Sequence, residues 1–219
     1  MEVITISMEN TKMGCVPSFS LPPVVSCNAA AQCTKSGCYM KRLLKIRPSW
    51  KRSVDKNYKI VTEHLDDFYR QLNGWLSMYQ PKAFRFHVSG DFFSYDYLDI
   101  CVAIARNNPK VKFFAFTKQW DIIYQYDKDF GFPNNFSIIL SAWLPRMKDW
   151  KPPRALALKF PVAYVNKHND EEGLADILYT MRGFRNGRYK YNVCYGVCDE
   201  CGMCFNRKRK DGDIMFEYH

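Results

Sequence analysis

Four cysteines stand within eleven residues near the carboxyl end of the chain, and this run restricts the local fold more than any other feature. Its pattern is Cys194-x3-Cys198-x2-Cys201-x2-Cys204. Thiols at such short gaps can fold around one ion or cluster, and the C-x2-C-x2-C core matches the loop of ferredoxin-type iron–sulfur sites. A four-cysteine zinc site usually splits into two pairs separated by a longer segment. Iron–sulfur is therefore favoured here, and zinc is the alternative.

A second group of cysteines lies near the amino end, in the pattern Cys27-x5-Cys33-x4-Cys38. Asn, Ala, Ser and Gly separate these thiols, so we expect a flexible loop that can wrap a cluster. Three protein ligands on a four-iron cluster leave one iron open, as a substrate- or cofactor-binding cluster requires. Three cysteines and a histidine around zinc would compete with this reading. We predict one or two [4Fe-4S] clusters. In a further arrangement, thiols from both ends of the chain would share one cluster.

The remaining composition places these thiols in a reducing compartment. The chain has nine cysteines, and its first residues lack a basic segment followed by an apolar one. Clustered thiols in such a chain bind metal more often than they form disulfides. No run of eighteen or more apolar residues is present, which predicts that the chain does not cross a membrane. We therefore expect a cytoplasmic protein, with Cys101 as a core thiol on an apolar helix face.

Helix and strand patterns alternate along the chain. Strands are predicted at Val3–Ser7, Ala83–Val88, Val111–Phe116, Phe136–Leu140 and Pro161–Val165. Helices are predicted at Tyr39–Ile46, along one long segment from Val61 to Tyr79, after the N-cap Ser94, and from about Gln119 to Tyr126. Repeated β–α–β order indicates a parallel sheet. We predict an α/β fold, a partial (β/α) barrel over residues 1–190, followed by a cysteine-rich metal-binding segment over residues 191–219.

Each of the last four predicted strands is followed by polar residues. They are Ser89-Gly90-Asp91, Thr117-Lys118, Ser141 and Asn166-Lys167-His168. In parallel α/β folds functional groups gather at the carboxyl ends of the strands, so these residues predict a polar cavity at the mouth of the barrel. Arg85 and His87 alternate with Phe84 and Phe86, which predicts that both polar side chains lie on one face of their strand. Ordinary turns and helix caps are the alternative explanation.

The net charge of +10 is unevenly distributed. Nine Lys or Arg and the single acid Asp55 occur between Lys35 and Lys59. Further basic stretches are Arg182, Arg185, Arg188 and Lys190, and then Arg207 to Lys210. Such faces either keep a protein soluble or bind an acidic partner, such as a nucleic acid, a phosphorylated cofactor or an anionic protein. Charge alone does not decide between these.

Three segments together resemble a known family. They are CNAAAQCTKSGCYMKR, FRFHVSGDFFSYDYLDICVAIARNNPKVKFFAFTK and CDECGMCF. The combination resembles the phage gene-product-88-like family, whose members are regarded as distant, radical-SAM-like relatives. The resemblance runs from roughly Cys27 to Cys204. It implies a protein encoded by a phage and located in the host cytoplasm.

The resemblance also implies roles for individual residues. Cys27, Cys33 and Cys38 would hold a cluster with one open iron, although radical SAM enzymes usually space these cysteines as C-x3-C-x2-C. Ser89-Gly90-Asp91 would take the place of the Gly-Gly-Glu-type segment that binds the amino group of S-adenosylmethionine. The cysteines from Cys194 to Cys204 would form an auxiliary cluster site. The implied cofactor contacts are Ser89, Gly90, Asp91, Arg85, Thr117 and Ser141, and the implied catalytic residues are His87, Asp91 and Lys118.

Two functional classes follow from the sequence. The leading hypothesis is a radical-SAM-like iron–sulfur protein whose cofactor performs reductive one-electron chemistry at the barrel mouth. The alternative is a basic nucleic-acid-binding protein with structural metal sites. A third hypothesis is a phage interaction protein that keeps the fold but has no catalytic activity.

Overall fold

The computed structural model describes residues 2–36, 38–142, 152–166, 191–194, 196–206 and 212–217. The basic stretches beginning at Arg182 and Arg207 and the pair Lys167-His168 lie outside the described residues. No helix within those ranges is long and apolar enough to cross a membrane.

Eight strands form one sheet, which confirms the predicted α/β class. They are β1 Ile6–Ser7, β2 Ser18–Phe19, β3 Ala83–Phe86, β4 Lys112–Thr117, β5 Phe136–Ala142, β6 Val162–Asn166, β7 Tyr191–Val193 and β8 Asp213–Glu217. Their order across the sheet is β1-β2-β3-β4-β5-β6-β8-β7, and every neighbouring pair is parallel except β1 with β2. The cysteine-rich segment thus contributes two strands to the same sheet as the rest of the chain.

Helices connect most of these strands. They are α1 Gln32–Ser36, α2 Tyr39–Ile46, α3 Pro48–Glu63, α4 Leu65–Tyr79, α5 Tyr95–Asn107, α6 Trp120–Asp129, α7 Arg154–Lys159 and α8 Cys198–Cys201. Helix α2 has the predicted bounds, and Ser94 caps α5 by accepting a hydrogen bond from the Tyr97 N–H at 3.2 Å, as predicted. Cys101 is fully buried in the core, also as predicted.

The prediction of one long helix up to Tyr79 is wrong, because the chain breaks at His64. This residue has φ −141° and ψ 58°, so Val61 ends up in α3 while the rest of the apolar series lies in α4. Two acids in the first turn of α4, Asp66 and Asp67, favour a new helix start there. Both helices bury their apolar residues in one core, so the apolar spacing continues across the break.

The two faces of the sheet have different surroundings. One face carries Phe84, Phe86 and Phe113, which pack with α3, α4, α5 and α6 into the main core. The opposite face carries Phe114, Phe116 and Ile139, and it packs against Cys194, Cys198, Cys204 and Phe205. We call this second face the cysteine face. The sheet thus separates an aromatic, helix-covered core from the region of the terminal cysteines.

Candidate metal and cofactor site

A continuous chain of polar groups joins the carboxyl ends of three neighbouring strands. Asp91, just after β3, accepts a hydrogen bond from Thr117 Oγ1 at 2.6 Å and another from the Lys118 N–H at 2.8 Å. Lys118 Nζ in turn donates to Ser141 Oγ of β5 at 3.0 Å. The predicted cofactor contacts Asp91, Thr117 and Ser141 are therefore brought together with the predicted catalytic residue Lys118 at one edge of the sheet.

Asp91 is held firmly within this chain. Its side chain is 5% exposed, and its Oδ1 also accepts the Phe92 N–H at 2.8 Å. Burial raises the pKa of Asp91, while the hydrogen bonds from Thr117 and Lys118 oppose that rise. Since a carboxylate has about four lone-pair positions, three donors leave room for one further partner. Asp91 thus braces the site and keeps limited capacity for a ligand.

The amino-terminal cysteine loop lies directly beside these polar groups. Asn28 Nδ2 donates to the Lys118 carbonyl oxygen at 3.3 Å. Burial, and then the charge of Asp91, raises the pKa of Cys27 to about 12. Burial also raises the pKa of Cys33, and the Lys118 ammonium counteracts that increase. The charge of Cys38 also raises both of these pKa values, so the three thiols are near enough to interact electrostatically.

Ser89 and Gly90 support the cysteine loop through their backbone. The Ser89 carbonyl accepts the Leu21 N–H at 3.0 Å. Gly90 has φ +85°, and a Cβ at this position would come within 2.6 Å of both Leu21 Cβ and Ser26 Oγ. Only glycine fits there, because it tolerates the left-handed backbone and leaves space for the segment that leads into Cys27.

His87 does not share a face with Arg85, so that prediction is wrong. The backbone of His87 is left-handed, with φ +61°, and this interrupts the strand alternation. Its ring turns into the main core, with its centroid 4.6 Å from that of Phe92, and Nε2 lies 2.9 Å from the Tyr97 hydroxyl. Burial, reinforced by the charge of Arg85, lowers the pKa of His87 to about 3. The imidazole is thus neutral near pH 7 and lies away from the polar chain.

Arg85 projects to the cysteine face, apart from the other predicted cofactor contacts. Its guanidinium carbon lies 4.9 Å from the centroid of Phe116 and 5.9 Å from that of Phe114. Nη1 lies 3.5 Å from the Met13 sulfur. Burial lowers the pKa of Arg85, whereas Tyr39 and the thiols of the carboxyl-terminal group oppose this. Met13 belongs to the apolar cluster against which Cys198 and Cys204 pack, so Arg85 lies near the carboxyl-terminal cysteines.

The four carboxyl-terminal cysteines line one cavity. It encloses about 260 Å³, counting its open mouth, and its walls are Cys194, Gly196, Val197, Cys198, Cys201, Met203, Cys204 and Phe205. Gly202 closes α8 in a left-handed conformation, with its N–H bonded to the Cys198 carbonyl at 2.8 Å. The rings of Phe205 and Phe114 are 5.7 Å apart, which anchors the cavity to the cysteine face. The predicted ligand set is thus brought together.

The donor set of the cavity is all sulfur, which suits iron–sulfur clusters and zinc. Within the described ranges, no three His, Cys, Asp or Glu side chains have the spacing of a site for one metal ion. A four-iron cluster spreads its ligands more widely than a single ion does, because each thiolate binds a different iron.

An amino-terminal turn completes this region, and the sequence analysis missed it. The Cys15 N–H donates to Asp199 Oδ2 at 2.9 Å, and the Cys198 N–H donates to the Lys12 carbonyl at 3.2 Å. Asn10 Oδ1 accepts the N–H groups of Lys12 and Met13, as in an Asx turn. The spacing of Asn10 and Gly14 was a turn signal, but nothing local indicated that the turn would contact α8.

Comparisons with known proteins give the family of the chain. A family model described as "Gene product 88" matches residues 5–207. The "Gene 88 protein" of Mycobacterium phage L5 is 27% identical over 221 residues, covering 91% of this chain and 87% of that relative. The protein of the same name from Mycobacterium phage D29 is 26% identical over 222 residues, with the same coverage. No solved structure matches. Since the family model spans most of the sequence, the chain belongs to the gene product 88 family.

Proposed function

We propose that this protein is a radical-SAM-like iron–sulfur protein. One observation carries the proposal: the loop with Cys27, Cys33 and Cys38 packs directly beside a polar chain at the carboxyl edge of a parallel sheet. In this proposal the loop holds a [4Fe-4S] cluster with one open iron, and the four carboxyl-terminal cysteines hold a second. Zinc at the carboxyl-terminal group is the alternative.

The order of the strands supports this proposal. Strands β2, β3, β4, β5, β6 and β8 are neighbours in chain order and all parallel. The cysteine loop follows β2, the first of them, and Ser89-Gly90-Asp91 follows β3, the second. Radical SAM enzymes place their cluster loop and their S-adenosylmethionine segment after the first and second strands of a partial (β/α) barrel. The same order occurs here.

The polar chain has the chemistry to bind S-adenosylmethionine next to such a cluster. Lys118 Nζ is a cation at the strand edge, suited to the methionine carboxylate. Asp91 has one lone-pair position left for an amino group and fixes the backbone of Lys118. When bound, the cluster would supply one-electron reduction. The protein side chains would orient the cofactor, and the buried edge would limit access of water.

Binding of S-adenosylmethionine to anaerobically loaded protein tests this proposal. The triple variant Cys27→Ser, Cys33→Ser, Cys38→Ser is expected to lose about four irons and all binding, since it lacks the open-iron cluster. Lys118→Gln is expected to keep the iron and bind at least about tenfold more weakly, because one charge-assisted hydrogen bond is lost. Lys45→Gln, on the exposed side of α2, is the matched control and should bind normally. Equal binding by wild type and the triple variant would refute the proposal.

A second candidate function, nucleic-acid binding, rests on the surface of α2 and α3. Its exposed basic residues are Lys41, Arg42, Lys45, Arg47, Lys51, Arg52 and Lys59. Lys51 pairs with Asp55 at 2.5 Å and Lys59 pairs with Glu2 at 3.3 Å, so most of these cations have no acidic partner within the described residues. Tyr39, a residue that is 68% exposed, adds an aromatic group to this surface, and bases stack on such groups.

Salt dependence tests this second candidate. The logarithm of the binding constant for single-stranded DNA should fall linearly with the logarithm of the salt concentration. The magnitude of this slope should decrease by roughly 0.7 in each of the variants Arg42→Gln, Arg47→Gln and Arg52→Gln, because each loses one phosphate contact. Lys128→Gln, in the otherwise acidic α6, is the matched control. Absence of binding at low salt would exclude this function. If neither S-adenosylmethionine nor nucleic acid binds, the remaining proposal is a phage interaction protein without catalysis.

A further inference from the structure

Arg85 lies near the carboxyl-terminal cysteine site, although it belongs to β3, far earlier in the sequence. Its guanidinium stacks on Phe116, and Phe116 packs against the same buried residues as Cys204. Phe114, on the other side, contacts Phe205, which directly follows Cys204. The cation is thus enclosed by the aromatic surface on which the cysteine cavity rests.

Arg85 has no conventional counter-ion in the part of the chain that the structure describes. There, no Asp or Glu lies within ion-pair distance of its guanidinium, and its buried Nε has no hydrogen-bond partner. A buried cation without a partner loses solvation that nothing replaces. The groups whose ionised forms would oppose the lowering of the Arg85 pKa are Tyr39 and three of the four carboxyl-terminal thiols, Cys194, Cys198 and Cys204.

Metal binding would supply the missing negative charge. Cysteines ligate metals as thiolates, and four thiolates around zinc or a four-iron cluster leave the site with net negative charge. That charge grows by one unit when the cluster is reduced. A cation held nearby in a shielded position therefore stabilises the loaded site and favours the reduced state of a cluster.

We propose that Arg85 is the counter-charge of the carboxyl-terminal cysteine site, a positioning residue that strengthens metal binding and raises the reduction potential of a cluster held there. This inference rests on the proposed metal-binding function. It assigns Arg85 to the cysteine face instead of the S-adenosylmethionine contacts that the sequence implied. The unpartnered Ser18 hydroxyl is paired in register with Arg85 across β2 and β3 and adds a polar group to the same region.

Cobalt binding tests the inference without requiring any activity. The probe is Co²⁺, added to the full chain in which Cys27, Cys33 and Cys38 are serine, so that the carboxyl-terminal thiolates give the charge-transfer absorption. Arg85→Met removes the charge but keeps an extended apolar side chain between the rings, and is expected to weaken Co²⁺ affinity about 10- to 100-fold. Arg85→Lys should stay within a few-fold of the parent. Arg106→Met, an exposed arginine on α5, is the matched control.

The outcomes separate this inference from the proposed function. Unchanged Co²⁺ affinity in Arg85→Met, or equal losses in the Lys and Met variants, would overturn the counter-charge role. In the chain that keeps Cys27, Cys33 and Cys38, loss of S-adenosylmethionine binding by Arg85→Met, beside intact Co²⁺ affinity in the serine background, would assign Arg85 to the cofactor instead and also overturn the inference. If Arg85→Met does not fold, Arg85→Lys still tests the inference, because a large loss of Co²⁺ affinity in that variant would overturn it. If Co²⁺ binding depends on Arg85 while purified protein carries no iron, the counter-charge stands and the iron–sulfur proposal fails.

Discussion

Asp91 shows how much of this site depends on one side chain. Its carboxylate connects the loop after β3 to the end of β4 through Thr117 and Lys118, and Lys118 extends the connection to Ser141. The cysteine loop contacts the same Lys118 backbone. Removing the carboxylate charge should therefore lower the free energy of unfolding and also disturb the cysteine loop.

Asp91→Asn is expected to lower the free energy of unfolding by about 2 kcal/mol. The amide keeps one acceptor oxygen, so either Thr117 or the Lys118 N–H loses a charge-assisted hydrogen bond in a buried place. Urea unfolding of the metal-free protein measures this, with the exposed Glu63→Gln as the control. Equal stabilities of these two variants would show that Asp91 does not brace the site.

Gly90→Ala and Gly74→Ala should change stability in opposite directions. At Gly90 the left-handed backbone alone costs roughly 1–3 kcal/mol, and the new methyl group also meets Leu21 and Ser26. At Gly74, in the middle of α4, nothing lies within 4 Å, so alanine should stabilise by about 0.5–1 kcal/mol. Thermal unfolding of both variants measures the difference. If Gly90→Ala is as stable as the wild type, this loop does not pack as described.

His87 should make the protein sensitive to mild acid. Its folded-state pKa of about 3 lies below the ordinary value of 6.5, so between these pH values only the unfolded state binds the proton. The contribution of neutral His87 to the free energy of unfolding is fully present above pH 6.5. It falls by about 1.4 kcal/mol for each pH unit below that value. His87→Asn keeps a residue that tolerates positive φ and has no such titration. Between pH 7 and pH 5 the free energy of unfolding should fall by about 2 kcal/mol more in the wild type than in His87→Asn. Equal decreases in the two proteins would contradict a buried neutral imidazole.

Among the elements, α5 connects the polar edge of the sheet to the core. It begins just after Asp91, and its apolar side fills the main core with Leu98, Cys101 and Ile104. Ser94 starts this helix by accepting the Tyr97 N–H, and Tyr97 in turn contacts His87. The position of the loop after β3 thus depends on how α5 begins.

Ser94→Ala is expected to cost about 1 kcal/mol of unfolding free energy, because one helix N–H loses its cap. Ser77→Ala, at an exposed position inside α4, is the control and should be neutral or slightly stabilising. Chemical denaturation of both variants provides the test. A neutral Ser94→Ala would mean that the cap contributes nothing to folding.

Sequence patterns predicted the longer elements because their residues alternate regularly between core and surroundings. Strands β4, β5 and β6 start or end within two residues of prediction, and α2 matches exactly. The pattern failed at His64, where two helices share one core and apolar spacing continues across a break. It also failed at His87, because a positive φ in a non-glycine residue leaves no periodic signal. The two-residue strand β2 and the short strands β7 and β8 depend on pairing with distant partners, which no local window contains.

Some parts of the candidate site were likewise predictable from local sequence, and others depend on contacts between distant residues. The two cysteine groups and the polar residues after β3, β4 and β5 were predictable from spacing, since parallel strands bring their carboxyl ends to one edge. The location of Arg85 beside the carboxyl-terminal thiols, and the contact of Cys15 with Asp199, arise from tertiary packing. Neither has a counterpart in the sequence pattern.

At the scale of the whole molecule, one sheet holds both cysteine groups. The amino-terminal group follows β2, and the carboxyl-terminal group lies between β7 and β8, which close the other end of the strand order. The turn before Cys15 contacts α8, so the first and last parts of the chain meet at the cysteine face. The thiol–thiol interactions that raise these pKa values occur within each group, as between Cys27 and Cys33 and between Cys194 and Cys201.

The content of iron, sulfide and zinc in protein purified without oxygen tests the central claim most directly. Two [4Fe-4S] clusters predict about eight irons and eight sulfides per chain, and an absorption near roughly 400 nm that bleaches on reduction. Replacing either cysteine group by serine should remove about half of the iron and leave the other half in place. One or two zinc ions without iron or sulfide would contradict the account, and nucleic-acid binding at α2 and α3 would then become the leading proposal.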